Sequence, residues 1–353
     1  MKVCLIRLDK IGDLVCSLPV DEAPWLDGHQ IRWVVQQGMG FIASNAVPGR
    51  RFLQLDKNSK WESFRHLLRY LKEENFQVAV SFQAPWWVSL ALWWRGVPLR
   101  AGVLSQWHSF LFFNRALRQR RSLAEKHEAD YNLELLAHAI GKEVRKIPSA
   151  PSAEVVLCDS KTAGLSVEEL IASRLPLMTQ APRLRMRAPE HPSLWERLPF
   201  QKKQFVVVHP GMTGSALNWP QKNYVSLIRE LAKFTPVVIT GTPADQEFLR
   251  DIELVRNETN IHWLVGEVTA TELLGVLAES RLVIAPSTGV AHLGAALGTP
   301  VISLFSPLVV QRPTRWAPRG TDVTCFMPSR EGEDCMADIA VETILEEAKR
   351  ALR

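Results

Sequence analysis

The chain has 353 residues, 46% of them hydrophobic and 22% charged, with 42 Lys and Arg against 37 Asp and Glu. This composition excludes long disorder and a small disulfide-stapled fold, and the length predicts two domains. No run of about 18 apolar residues occurs to form a transmembrane helix, and the net charge of +5 is not gathered into a nucleic-acid-binding tail or motif.

Residues 2–8 (KVCLIRL) are predicted as the opening strand and 11–22 as the helix after it. Nothing ahead of that strand resembles a signal peptide. The five cysteines, Cys4, Cys16, Cys158, Cys325 and Cys335, are odd in number and lack CxxC spacing. They suit a reducing, cytoplasmic setting and do not suggest zinc. Strands are expected at 31–35 and 51–55. Residues 61–74 carry Trp61, Phe64, Leu67, Leu68 and Leu71 at helical spacing. A strand at 78–82, an apolar helix at 86–94, a strand at 100–104 and a helix at 128–140 closed by Gly141 continue the alternation. Seven prolines break residues 142–200, which read as irregular and hold the domain boundary. Alternation then resumes, with strands at 205–208, 236–240, 261–264, 282–285 and 301–305. Helices are expected at 221–234, 244–256, 271–279 and 289–297, and a last one at 339–352 follows an irregular loop. Two doubly wound α/β halves facing each other across a cleft is the simplest architecture, and ligands of such sheets bind beyond the carboxyl ends of the strands.

Three loops carry candidate chemistry. Ser287, Thr288 and Gly289 follow a strand and open a helix. Unpaired backbone N–H groups and the helix dipole favour an anion there, and two hydroxyls and a glycine suit a phosphate or a sugar phosphate. His292, one turn into that helix, is either a packed core histidine or a phosphate contact. The loop from His209 to Pro220 also joins a strand to a helix. It offers Thr213, Gly214 and Ser215 as a second polar turn whose amides can cradle phosphate oxygens. In the first loop, Arg7-Leu8-Asp9-Lys10-Ile11-Gly12-Asp13, Gly12 permits a tight turn. Asp13 is either an acid placed to suit the helix dipole or a general base acting on a hydroxyl.

Other matches are weak. Gly38-Met39-Gly40-Phe41-Ile42-Ala43 fits a dinucleotide fingerprint loosely, but it follows the second strand, and the nearest acid, Asp56, comes too early. No Walker loop, HExxH or Asp-x-Asp pair is present, so neither a cofactor nor a bound metal is implied. Trp86, Trp87, Trp93 and Trp94 fall on several faces of one short helix. WHSFLFF at 107–113 precedes Arg115, Arg118, Arg120 and Arg121. This region, 86–121, is either a core helix followed by a solvated one or a peripheral, interfacial membrane contact.

Three blocks, RLDKIGDLVCSLP, HPGMTGSALNWPQKNY and APSTGVAHLGAALGTPVISLFSP, come in order and span nearly the whole chain. Together they resemble glycosyltransferase family 9, the ADP-heptose:lipopolysaccharide heptosyltransferases. The resemblance implies a GT-B fold of two Rossmann-like domains. Residues 1–175 would bind the acceptor, 176–338 the nucleotide sugar, and helix 339–353 would pack back toward the first domain. It also implies metal-independent, inverting transfer of a heptose from ADP-heptose to a lipid-linked saccharide, the lipopolysaccharide inner core. Asp13 matches the family's proposed general base. Thr213, Gly214 and Ser215 fall where the donor diphosphate is held, and Thr288, Gly289 and His292 fall in the second phosphate turn. Asp245 falls near an acid that bonds the ribose. Arg7, Lys10 and Gly12 become candidates for contacts to the acceptor or to phosphate. Two positions depart from the pattern. Ser287 stands where many members carry an Asp that contacts the donor sugar, and Leu217 where many carry a Lys. These departures keep two other readings open, a catalytically weakened nucleotide-sugar-binding paralogue and a member using another nucleotide sugar. A nucleotide-sugar epimerase on the same fold is a third alternative.

Overall fold

In the computed structural model the first apolar runs become strands β1 (Lys2–Arg7), β2 (Gln30–Gln36), β3 (Phe52–Leu55), β4 (Val78–Gln83) and β5 (Leu99–Gly102). They form one parallel sheet in the order β3-β2-β1-β4-β5. The description covers every residue except Arg197, Thr213, Ser215 and Glu333, and only the backbone of Lys146. Val3, Cys4, Leu5 and Ile6 of β1 are fully buried, as a central strand covered by helices on both faces requires. From β1 the chain crosses to β2 on one side, and from β4 it crosses to β5 on the other. The direction of winding therefore reverses between β1 and β4, which leaves a crevice beyond their carboxyl ends.

The second sheet comprises β6 (Ala150–Cys158), β7 (Leu175–Thr179), β8 (Val206–Val208), β9 (Val237–Ile239), β10 (Ile261–Trp263), β11 (Leu282–Pro286), β12 (Val301–Leu304) and β13 (Val323–Pro328). Its order is β10-β9-β8-β11-β12-β13-β6-β7. Here winding reverses between β8, which leads to β9, and β11, which leads to β12. The helix Gln221–Ala232 presents Tyr224, Leu227, Ile228 and Leu231 to the core, the spacing of a single helical stripe.

The chain divides into two compact units, 1–150 with 179–184, and 151–178 with 185–353. This corrects the boundary expected at 175. The segment read as irregular contains β6, which pairs in parallel with β13, and the edge strand β7, where Pro176 is tolerated. Proline content hid both strands. The final helix, Val341–Ala351, packs on Gln221–Ala232, Val167–Ala172 and β12, all in the second unit. Buried Glu347 fixes it there, accepting from Thr324 Oγ1 at 2.8 Å and pairing with Arg174 at 2.6 Å. Two expected helices are also shorter. Ile11–Ser17 gives way to a 3₁₀ turn at Pro19, and residues 244–256 form three short helical pieces. Among the described residues no helix is long and apolar enough to cross a membrane.

Candidate functional site

In the first unit, the reversal between β1 and β4 is built from charge. Asp13 lies in the first turn of the helix Ile11–Ser17, directly after β1, and its side chain keeps 20% of its surface exposed. Arg7 Nη2 donates to Asp13 Oδ1. The same guanidinium pairs with Asp9 at 3.1 Å and with Glu128 of the helix Glu128–Ile140 at 3.3 Å. Glu128 is buried and also accepts from Arg121. Burial alone would lower the Arg7 guanidinium's pKa, but the charges of Asp13, Glu128 and Asp9 overcome this and raise it. Burial is the main reason the Asp9 carboxyl is raised. Ser17 Oγ donates to the Asp13 carbonyl at 2.7 Å and accepts from Asn132 at 3.0 Å, which ties the Asp13 helix to Glu128–Ile140. The cluster thus leaves Asp13, like Asp9, as an oriented and partly accessible carboxylate at the strand ends.

Two expectations change here. Arg7 is 1% exposed and faces three carboxylates, so it holds Asp13 and its neighbours and is out of reach of an acceptor or phosphate. Gly12 lies within the first turn of the helix and not in a tight turn, while Lys10 is the exposed N-cap residue. The Gly38–Gly40 turn spends its amides internally, since Gly38 N and Gly40 N both donate to Gln54 Oε1 at 3.1 Å.

The reversal in the second unit is built from backbone. The loop after β8 and the turn after β11 leave neighbouring parallel strands, and His209 N donates to the Ile284 carbonyl at 2.9 Å. The 209–220 loop and the 287–289 turn therefore stand side by side at one sheet edge. Ser287 N is taken by the Leu304 carbonyl at 3.0 Å. Thr288 is the extended N-cap of the helix Gly289–Ala296, whose first amides have no helical partner. Among the described residues Thr288 Oγ1 is buried with no hydrogen-bond partner, a hydroxyl that an anion's oxygen would satisfy. Gly214 has φ +68°, a left-handed turn that glycine adopts freely. Thr213 and Ser215 lie outside the described residues.

The loop is fixed at both ends. Asn218 Nδ2 donates to the Pro210 carbonyl at 2.8 Å, and Asn218 Oδ1 accepts from Trp219 N at 2.8 Å. Trp219 is buried against Tyr224 and donates through Nε1 to the Ile339 carbonyl at 2.9 Å. Asp245 is buried, and its Oδ2 accepts from Thr242 N and Oγ1 at 2.8 and 2.7 Å. A Cβ at Gly211 would lie 2.5 Å from Asp245 Cγ. Asp245 thus caps a turn and buttresses the 209–212 backbone. Burial lowers His209 to about 4 despite the nearby Asp245 charge, and its Nδ1 lies 3.0 Å from Thr240 Oγ1. Burial, aided by Arg319, also lowers His292 to about 4. Both imidazoles are neutral at pH 7. The imidazoles therefore add no positive charge for an anion at this edge; amides, the helix end and hydroxyls are available, with the buried Arg319 guanidinium near His292.

Sequence reasoning missed Glu128, Thr240, Thr242 and the support given by Asp245, and it set Arg121 in the basic cluster after WHSFLFF instead of beside Glu128. Glu128 stands 121 residues from Arg7, and no local pattern pairs them. Among the described residues no group of three or more His, Cys, Asp and Glu is arranged to hold a metal ion.

Known proteins share this organisation. The model of glycosyltransferase family 9 (heptosyltransferase) matches residues 64–347. A putative glycosyltransferase of Haemophilus influenzae is 26% identical over 323 residues, covering 90% of this chain and 86% of that protein. The lipopolysaccharide core heptosyltransferase OpsX of the same organism is 22% identical over 331 residues, covering 90% and 81%. Among solved structures, E. coli heptosyltransferase WaaC with ADP superposes with a TM-score of 0.68 at 18% identity, covering 99% of this chain and 100% of that one. The fold is accordingly GT-B.

Proposed function

This chain belongs to glycosyltransferase family 9, the heptosyltransferases, and on that premise we propose that it transfers a heptose from ADP-heptose to a lipid-linked saccharide of the lipopolysaccharide inner core. The observation that carries the donor half is the paired turns at the β8/β11 reversal, with unspent helix amides and the orphaned Thr288 hydroxyl. A diphosphate gains most from such a fixed array as its charge grows on departure, and losing one such donor typically costs about 10²–10³ in rate. Gly214, Ser287, Thr288 and Gly289 are assigned to the donor together with Thr213 and Ser215. His292 supports the turn as a neutral group. ADP as the nucleotide rests on the likeness to a heptosyltransferase solved with ADP.

Asp13 is the general base. Its carboxylate takes the proton of the acceptor hydroxyl as the oxygen attacks the anomeric carbon from the face opposite the leaving ADP, which inverts that centre. Arg7 fixes the carboxylate's direction. The reaction is read as metal-independent and cytoplasmic.

Incubating ADP-heptose with a Kdo-containing lipid acceptor, with and without chelator, tests this reading. Formation of the heptosylated product with the opposite anomeric configuration, undiminished by chelator and lost in Asp13→Asn, is the expected result. ADP-heptose consumed without acceptor would favour an epimerase. Ser287 and Leu217 motivate a second reading, a binding paralogue or a member using another nucleotide sugar. A nucleotide-sugar panel read by thermal shift separates these, because a ligand bound to the native state raises Tm by mass action.

A further inference from the structure

Between Glu74 and Glu125 the chain has no acidic residue, yet it holds six arginines and five of the twelve tryptophans. Within the first unit this stretch folds into two packed helices, Trp86–Trp94 and Trp107–Phe112. Their rings form one continuous patch, with centroids 6.5 Å apart for Trp86 and Trp107, 6.4 Å for Trp107 and Phe112, and 5.8 Å for Trp93 and Phe112. Trp87, Val88, Ala91 and Leu92 already fill the core side of the first helix. Trp93, Trp94, Trp107, Phe110 and Leu111 lie outside that core, each half to two-thirds exposed. Large apolar groups gathered in this way mark an interaction surface, whereas scattered ones do not. The patch is also stiff. His108 is buried, with Nδ1 2.9 Å from Ser89 Oγ and Nε2 2.7 Å from Gln106 Oε1, which holds the second helix against the first. Arg95, directly after Trp94, and Arg115, Arg118 and Arg120, just beyond Phe113, are exposed.

We propose that this patch docks the enzyme on an anionic lipid bilayer. The exposed rings enter the boundary between headgroups and acyl chains, and the flanking arginines meet lipid phosphates. The charge pattern decides between occupants. A protein partner would have to be acidic across the whole breadth of the patch, and a second copy of this chain would set arginine against arginine. An anionic bilayer offers negative charge everywhere, together with the interfacial zone that Trp favours. Docking here would hold the first unit beside a lipid-anchored acceptor. The inference does not depend on the donor assignment, because vesicle binding is read without turnover.

Flotation with phosphatidylcholine vesicles, with or without 30% phosphatidylglycerol (on the order of a physiological anionic content), tests the proposal. The full chain is expected to float with the anionic vesicles and to bind several-fold less at high salt. Trp94→Ala/Phe110→Ala should lose about tenfold in binding. Arg95→Gln/Arg115→Gln should lose the salt-sensitive part. Both variants should keep the wild-type Tm and the wild-type response to ADP. The proposal is overturned if the wild type stays at the bottom of the gradient with every vesicle. It is also overturned if the folded aromatic variant floats like wild type, or if the patch variants instead abolish self-association of a chain that ignores vesicles.

Discussion

At the crevice between β1 and β4 ionised side chains cluster around a carboxylate, and at the one between β8 and β11 glycine turns and a helix N-terminus predominate. The first gathers Asp9, Asp13 and Glu128 around the buried Arg7 guanidinium, and a second buried arginine, Arg121, also pairs with Glu128. The second holds two neutral histidines, glycines, hydroxyls and a helix N-terminus, with the buried charges of Asp245 and Arg319 beside the imidazoles. Both lie where a parallel sheet reverses its winding, so topology supplies the crevice and composition assigns the work. A proton is best moved by a carboxylate held in place by a fixed counter-charge. A diphosphate is best held by amides that cannot titrate or move.

Substitutions on the two sides should therefore fail differently. Asp13→Asn keeps the carboxylate's shape and removes its basicity. Turnover should fall by about 10²–10⁴-fold while ADP affinity stays within twofold, read by initial rates and calorimetry. Glu128→Gln takes a negative charge from between two arginines. Removing one partner of a buried ion pair typically costs about 3–5 kcal/mol, so denaturant unfolding should show that loss and turnover should drop as Arg7 pulls on Asp13. On the second side, Gly211→Ala should weaken ADP binding by about tenfold, because the new Cβ displaces Asp245 and with it the 209–212 backbone, at a cost of about 1–3 kcal/mol in stability.

The two histidines give a pH signature. Burial lowers each from 6.5 to about 4, so as pH falls the unfolded chain takes up protons before the folded one. Their contribution is full above about pH 6.5 and is lost between 6.5 and 4, on the order of 3 kcal/mol each at the limit. Tm should decline already between pH 6.5 and 5, above the range where ordinary carboxylates titrate. His292→Gln, although less stable overall, should show a shallower decline there. The smallest effect is expected of Leu217→Lys. Leu217 is 40% exposed, and a lysine there adds one screened charge to the donor edge. ADP affinity should rise only a few-fold, and the gain should fade with salt.

The three loops were legible in the sequence because each is a local strand-to-helix junction with turn residues at fixed spacing. Asp13, Gly214 and Thr288 needed nothing distant to be picked out. Pairings across the chain were hidden, as with Glu128 and Arg7, or Asp245 and Gly211, since spacing along the chain says nothing of contact across it. Asp245 and Arg7 show the same limit in reverse. Asp245 was placed by the family likeness and Arg7 by its position in the first loop, and neither could be seen in the sequence to be a buried support for the groups beside it. The strands β6 and β7 were obscured by Pro151 and Pro176, residues that exclude a paired strand interior but not the start of β6, ahead of its pairing with β13 at Glu154, nor the edge strand β7.

Hydrogen exchange of the backbone amides, with and without ADP, tests most directly whether the β8/β11 reversal grips the diphosphate. Protection gained on ADP addition should be confined to residues 209–216 and 286–293 and should persist in Asp13→Asn. Protection at the glycine turn of 36–45, with none at those two segments, would contradict it.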